Sequence, residues 1–256
     1  MIRLWKFTLF FVLCLVAALL LNLPIQQVLP YVKVPDTVRL VGIDGTLIRG
    51  KAQEISVNQF PIREIDYRYM PSCIPLLKIC YRVTYERGTI QVAYDLLNGD
   101  TEVNKARIEY PVLEIVRHLP NVPVQPSGRM ELQVDDLAMV DGKPTALNGK
   151  LVWRDLGLDD SGVKISIGDY QMDFTGNSQK YDFKLSDLDA SLDVDGEGEV
   201  DATGLYSFDI RIESEIGIDP QVKSVLNLVA RSTGYNKYRI EQTGRLPPDV
   251  VRQLFQ

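Results

Sequence analysis

The chain is poor in the side chains that most catalytic and metal chemistry needs. Its 256 residues hold one histidine, His118, and three cysteines. A single imidazole nearly excludes His-based nucleophile triads and multi-histidine metal sites, which use it as base or as repeated ligand. Cationic stripes are missing too. There are 28 Lys/Arg against 34 Asp/Glu, a net charge of −6, and without clustered Lys/Arg to displace counterions nucleic acid is excluded as a partner. The one N-terminal apolar run lacks an A-x-A-like cleavage site after it, for which Asn22-Leu23-Pro24 is a poor substitute. Leu13 before Cys14 makes no lipoprotein site either.

That apolar run is the strongest feature present. Arg3 and Lys6 precede Phe7 to Leu23, broken only by Thr8, Cys14 and Asn22. A helix of that length spans ~26 Å, enough for a ~30 Å hydrocarbon core once Leu4, Trp5 and a snorkelling Lys6 are added. The basic end stays in the cytoplasm by the positive-inside rule. The expected organisation is a cytoplasmic tip at 1–6, a retained transmembrane anchor at 7–23, a stalk at 24–36 marked by Pro24, Pro30 and Pro35, and an exported body at 37–256. The competing reading is a cleaved signal peptide. The body is long enough for one extended all-β unit or two small lobes with a sizeable core.

Cys73 and Cys80 form a close pair in the exported part. In an oxidising compartment a disulfide is expected, with two free thiols as the alternative. A lone C-x6-C lacks the further ligands that zinc requires.

Period-2 patterns dominate the body. From Asp187 to Ala202, Asp187, Asp189, Ser191, Asp193, Asp195, Glu197, Glu199 and Asp201 alternate with Leu188, Ala190, Leu192, Val194, Gly196, Gly198, Val200 and Ala202. This reads as one strand with a wet acidic face. After Thr203-Gly204, the strand carrying Tyr206, Phe208, Ile210 and Ile212 completes a hairpin. Met130, Leu132 and Val134 alternate with Arg129, Glu131, Gln133 and Asp135, and Leu147, Gly149, Leu151 and Trp153 share a face. Val163, Ile165 and Ile167 precede Tyr170, Met172 and Phe174 in the opposite phase, so a bulge or tight junction is expected at Gly168-Asp169. Asn98-Gly99 and Asp141-Gly142 signal turns.

Three short helices interrupt the strands. One opens at Pro111 with Val112, Ile115, Val116 and Leu119; a second follows Asp219-Pro220 with Val222, Val225, Leu226 and Val229; the last carries Val250, Val251, Leu254 and Phe255. Their apolar stripes are expected to cover the sheet.

Several near-motifs weigh out as structural. Gly45 to Ala52 is one residue from a phosphate-binding loop, but Ala52 replaces the Mg²⁺-binding hydroxyl and a strand pattern follows where a helix is required. Ser161-x-x-Lys164 sits on a strand pattern that turns its side chains to opposite faces. His118 near the end of its helix reads as a dipole partner. Residues 155–201 hold 13 Asp/Glu against three Lys, read as a solvated face, with a docking surface for a basic partner or a weak cation site as alternatives; EF-hand spacing is absent.

Taken in order, these segments resemble the type II secretion system protein N (general secretion pathway protein N) family across nearly the whole chain. The resemblance rests on Gly45-Thr46-Leu47-x-x-Gly50-x-Ala52, Leu147-x-Gly149-x-Leu151-x-Trp153, Ile167-Gly168-Asp169-Tyr170, the hairpin around Gly196–Tyr206, and Gly234-Tyr235 with Gly244-x-Leu246. Tyr67-Arg68-Tyr69 departs from the family, which often has a Trp there.

The resemblance implies an accessory inner-membrane protein of type II secretion in a Gram-negative-type envelope. It would be single-pass, with the bulk of the chain in the periplasm, supporting export of folded proteins by contacts with the inner-membrane platform or the secretin. No enzyme activity, cofactor or metal is implied. The family is also similar to AsmA-like envelope proteins, so the expected fold is mainly β: a long curled antiparallel sheet of hairpins, an AsmA-like β-groove with a few short helices, behind one N-terminal transmembrane helix. Lipid binding or transfer along an apolar groove is the alternative function.

Overall fold

The computed structural model describes residues 22–31, 38–57, 60–116, 125–141, 143–160 and 163–255, with Phe11, Val12, Leu15 and Leu19 as isolated positions in the apolar run. The expected anchor at 7–23 therefore lies mostly outside the described residues. So do Cys14, His118, Leu119, Gly142 and Ser161. Among the described residues no helix is long and apolar enough to cross a membrane.

The chain divides into two compact units, Met1–Leu97 and Asn98–Gln256. The first carries β1 (Val38–Gly45), β2 (Arg49–Val57), β3 (Phe60–Met70), β4 (Lys78–Tyr85) and β5 (Gly88–Asp95), each antiparallel to the next. Small, aliphatic and aromatic residues fill its apolar side: Ala52 lies opposite Ile65, Cys80 opposite Ala93, and all four are buried together with Tyr85. The first part of the segment read as a stalk is folded rather than free. It forms the short helix α1 (Ile25–Val28) and a 3-10 turn at Leu29–Tyr31, Pro24 bridges to Thr46, and Gln26 Nε2 donates to the Ile43 carbonyl at 3.1 Å. Backbone groups along an unpaired strand edge are open to such partners.

The second unit carries β6 (Thr101–Pro111), helix α2 (Val112–Val116), β7 (Gln125–Val140), β8 (Lys143–Asp160), β9 (Val163–Asn177), β10 (Lys180–Ala190), β11 (Asp193–Asp201) and β12 (Leu205–Glu213). Helix α3 (Pro220–Val229), β13 (Arg231–Gly234), β14 (Lys237–Arg245) and helix α4 (Pro248–Phe255) follow. The strands lie side by side in sequence order through β12, after which β14 pairs with β12 and the short β13 forms the edge.

Cross-strand register lines up apolar rungs on one face. Leu151, Met172, Leu185, Gly196, Ile210 and Ile240 form one rung; Gly149, Phe174, Phe183, Gly198 and Phe208 form the next. Opposed pairs of this kind each add a few tenths to ~1 kcal/mol over Ala–Ala. Helix α3 closes one end of that face, laying Val222 and Leu226 on Tyr170, Leu192, Val194, Ile212 and Tyr238. Helix α4 closes another part, with Val251 buried and the Phe255 ring 5.0 Å from that of Tyr181. Full burial of each aliphatic anchor contributes about 1.5–3 kcal/mol.

Several expectations need correction. Pro111 ends β6 instead of opening the helix that follows. Val229, expected on the buried stripe of α3, is 59% exposed because the helix stops there. The Asp187–Ala202 segment is two strands, not one. A bulge at Leu188 shifts the register and leaves that side chain 51% exposed, and a turn at Ser191-Leu192 begins β11. Alternation runs from Ala190 into β11 because the two-residue turn preserves parity; Leu188, the single bulge residue, is the exception. Beyond Asp193 the pattern holds as expected: Asp193, Asp195, Glu197 and Glu199 are exposed, whereas Val194 and Gly196 are buried. At Gly168 (φ +120°) the strand phase flips where the sequence signalled it, since a Cβ there would meet the Ala190 backbone at 2.3 Å.

Candidate interaction surface

Of the side chains singled out in the sequence, His118 and Ser161 lie outside the described residues; the others have definite places. Gly45 to Ala52 forms the tight β1–β2 turn. Gly45 has φ +118°, and a Cβ on it would lie 2.4 Å from Gly50 Cα. Lys51 pairs with Asp66 at 3.2 Å and Ala52 is buried, so no helix N-terminus faces the loop. Tyr67 Oη and Tyr81 Oη hold this turn down by donating to the carbonyls of Thr46 (2.8 Å) and Leu47 (2.9 Å). Burial raises the pKa of both phenols. The structure joins Cys73 to Cys80, Cα–Cα 6.0 Å, across the 3-10 turn Pro71–Leu76. Closing so short a loop restricts the unfolded chain by about 2–3 kcal/mol on the chain-entropy account. Its effect is local stiffening.

The acidic face of the second unit is a laced surface. Lys180 Nζ lies 2.8 Å from Asp182 and 2.7 Å from Glu199; Arg211 reaches Asp195 at 3.0 Å; Arg239 grips Asp209 with two hydrogen bonds, 2.8 and 2.6 Å. The hydrogen bonds from Arg239 hold the Asp209 carboxyl below the usual carboxylate range. A shallow hollow of about 890 Å³ opens on this polar side, bordered by Asp173, Asp182, Glu197, Glu199, Asp209 and Glu241. Among the described residues no group of three His, Cys, Asp or Glu converges as a metal would require. Counted from the sequence, residues 98–256 carry 17 Lys/Arg against 27 Asp/Glu, whereas residues 1–97 carry 11 against 7. The two units therefore present opposite net charge.

One polar cluster escaped sequence reasoning. Glu131 was expected on the wet face of β7, yet its side chain is 8% exposed. Arg107 Nε on β6 lies 2.7 Å from its Oε1, Arg154 Nε on β8 lies 4.0 Å from its Oε2, and Gln133 donates to it from two residues along. Arg154 also reaches Asp169, and Arg129 bridges Glu109 and Asp155. The charges two residues apart at Arg107/Glu109 and Arg129/Glu131 were visible, but their pairing with each other and with Arg154 depends on register.

Strand edges complete the surface. Strand β1 pairs only with β2 among the described residues, with Val41 41% exposed, and all four residues of β13 are exposed.

A family model described as "Type II secretion system (T2SS), protein N" matches residues 36–241. The type II secretion system protein N of Vibrio cholerae serotype O1 (strain ATCC 39315 / El Tor Inaba N16961) is 21% identical over 239 residues, covering 91% of this chain and 94% of that protein. No solved structure matches.

Proposed function

The chain belongs to the type II secretion system protein N family, and on that premise we propose that it is an accessory, non-enzymatic inner-membrane component of type II secretion. As a secretion component it works with other secretion proteins and is associated with the cell envelope. In the proposed arrangement residues 1–6 are cytoplasmic, 7–23 form a single-pass anchor and the two β units stand in the periplasm. The exposed, helical Phe11, Val12, Leu15 and Leu19 support an apolar helix made to be covered by something other than protein core.

The observation that carries the reading is the family match over both β units. The surface described above supports contacts as the means of action. An open edge such as β1 offers main-chain donors and acceptors to a partner strand, and a face rich in carboxylates selects a basic partner. The inner-membrane platform and the secretin are the proposed partners.

Photo-crosslinking in cells tests this. A crosslinker replacing Val41 on the β1 edge or Glu197 on the acidic face is expected to capture other secretion components. Adducts confined to lipid, from both positions, would count against a protein-contact role.

A further inference from the structure

At one end of the first unit the chain gathers apolar side chains that nothing in the fold covers. Ile74, Leu76, Leu77, Tyr94, Leu96 and Leu97 are exposed by 55, 67, 50, 45, 55 and 73%. Adjacent loops and strand ends hold them together. Pro71 and Pro75 set the 3-10 turn, Cys73–Cys80 staples it, Leu77 sits in the left-handed region (φ +55°), and the Leu96 amide donates to the Leu77 carbonyl at 3.1 Å. A rigid apolar knuckle is costly to expose to water and costs little entropy to bury.

Its position in the sheet is informative. The β1–β2 turn, the stapled loop and the end of β5 all lie at the same end of the strands, as the register shows: Gly45 opposes Gly50, Arg49 opposes Arg68, Met70 opposes Cys80 and Lys78 opposes Asp95. Leu23, the last residue of the N-terminal apolar run, is brought to that same end, because Pro24 next to it bridges to Thr46 in the β1–β2 turn.

Charge agrees with the placement. Arg49, Arg68 and Arg82 stand directly opposite one another on β2, β3 and β4, with Cβ atoms ~5 Å apart as for any such cross-strand row. All three are exposed, and none makes an ion pair among the described residues. They border a hollow of about 770 Å³. Three like charges in one row repel, so the row is stabilised by an anion. Asp44 and Asp66 border the same hollow, Asp44 accepting from the Gly45 amide at 2.8 Å and Asp66 paired with Lys51, so Arg49, Lys51, Arg68 and Arg82 face two carboxylates and the hollow keeps a positive excess.

We infer that this end of the first unit is a membrane-docking face, the stapled apolar knuckle entering the interfacial layer of an anionic bilayer while the Arg49–Arg68–Arg82 row binds phosphate headgroups. The inference rests on the reading of residues 7–23 as an anchor. It adds that the body leans on the bilayer instead of hanging free from a stalk.

The test uses the full-length chain in vesicles of phosphatidylethanolamine and phosphatidylglycerol with brominated acyl chains, which quench only tryptophan that reaches the lipid. Trp5 reports on the anchor through the emission that Trp5→Phe removes, with Trp153 as a constant background. In a Trp5→Phe background, Leu76→Trp probes the knuckle. Glu86→Trp, in the turn at the far end of the β4–β5 hairpin and ~26 Å away by strand rise, is the control. Emission added by Leu76→Trp is expected to fall by about half, as for a side chain ~5–10 Å into the headgroup/acyl boundary, with Glu86→Trp unaffected. Adding Arg68→Gln and Arg82→Gln is expected to weaken that quenching. Quenching of Trp5 without quenching at Leu76→Trp overturns the docking face and leaves the anchor standing, with the knuckle assigned to a protein partner. Quenching at neither overturns both readings, and quenching at Leu76→Trp alone upholds the docking face while removing the anchor.

Discussion

Phe174 lies over Gly149 on the neighbouring strand, its ring taking the space that a side chain would fill. A Cβ on Gly149 would meet Phe174 Cζ at 2.8 Å and the Gln133 carbonyl oxygen at 2.4 Å. The same glycine–aromatic pairing recurs at Gly50 with Tyr67, Gly176 with Tyr181, Gly198 with Phe183 and Gly244 with Tyr206.

Gly149→Ala is therefore expected to cost about 1–3 kcal/mol by overpacking against backbone that cannot move aside. Gly234→Ala, whose Cβ would meet only Lys237 at 3.6 Å, is the contrast and stays within about 0.5 kcal/mol. Urea denaturation of the two variants decides the matter; equal costs would remove the packing explanation for the glycines.

Those glycines show what was legible in the sequence. Gly149 and Gly168 could be placed on strands from alternation alone, and the phase flip at Gly168 was readable because two apolar sets changed parity there. The ring above Gly149 was not, since it comes from the next strand and depends on register. Leu188 misled for a related reason: a bulge beside a turn preserved the letter pattern while turning that side chain outward. Cys73 and Cys80 could be paired by compartment and spacing. The knuckle between them was also open to reading, because Ile74-Pro75-Leu76-Leu77 fits neither a strand period nor a helix stripe.

Glu131 supports an asymmetry in the second unit. Arg107→Met strips the closest charged partner from a buried carboxylate, which is expected to cost about 2–3 kcal/mol. Glu131→Gln leaves two guanidiniums that are already half in water, Arg107 at 64% and Arg154 at 49% exposure, and costs about 1 kcal/mol. Greater loss in the Gln variant would show that the carboxylate is not the constrained member.

The face assignment of β11 has its own contrast. Val194 is 8% exposed, so Val194→Asp buries an unpaired charge and costs about 3–5 kcal/mol. Glu197→Lys on the opposite face changes stability by no more than about 0.5 kcal/mol. Similar losses in both would contradict the alternation seen in the strand.

Acid should loosen the sheet. Hydrogen bonds from Arg239 depress the pKa of Asp209, and the Thr203 hydroxyl and amide do the same for Asp201. A carboxyl depressed in the folded state adds stability above its unfolded pKa, ~3.9, and loses it as pH falls through the lower folded value. Thermal melts from pH 6 down are expected to show Tm falling below about pH 4, and Asp209→Asn should flatten part of that slope. A Tm that rises on acidification would reverse the sign of the argument.

The central claim is that this protein serves secretion. A strain lacking it, assayed together for release of type II substrates and for lipid asymmetry of the outer membrane, tests that most directly. The account predicts that substrates accumulate in the periplasm while lipid asymmetry stays normal, with secretion restored by the full-length chain. Normal secretion accompanied by disturbed lipid asymmetry would contradict it.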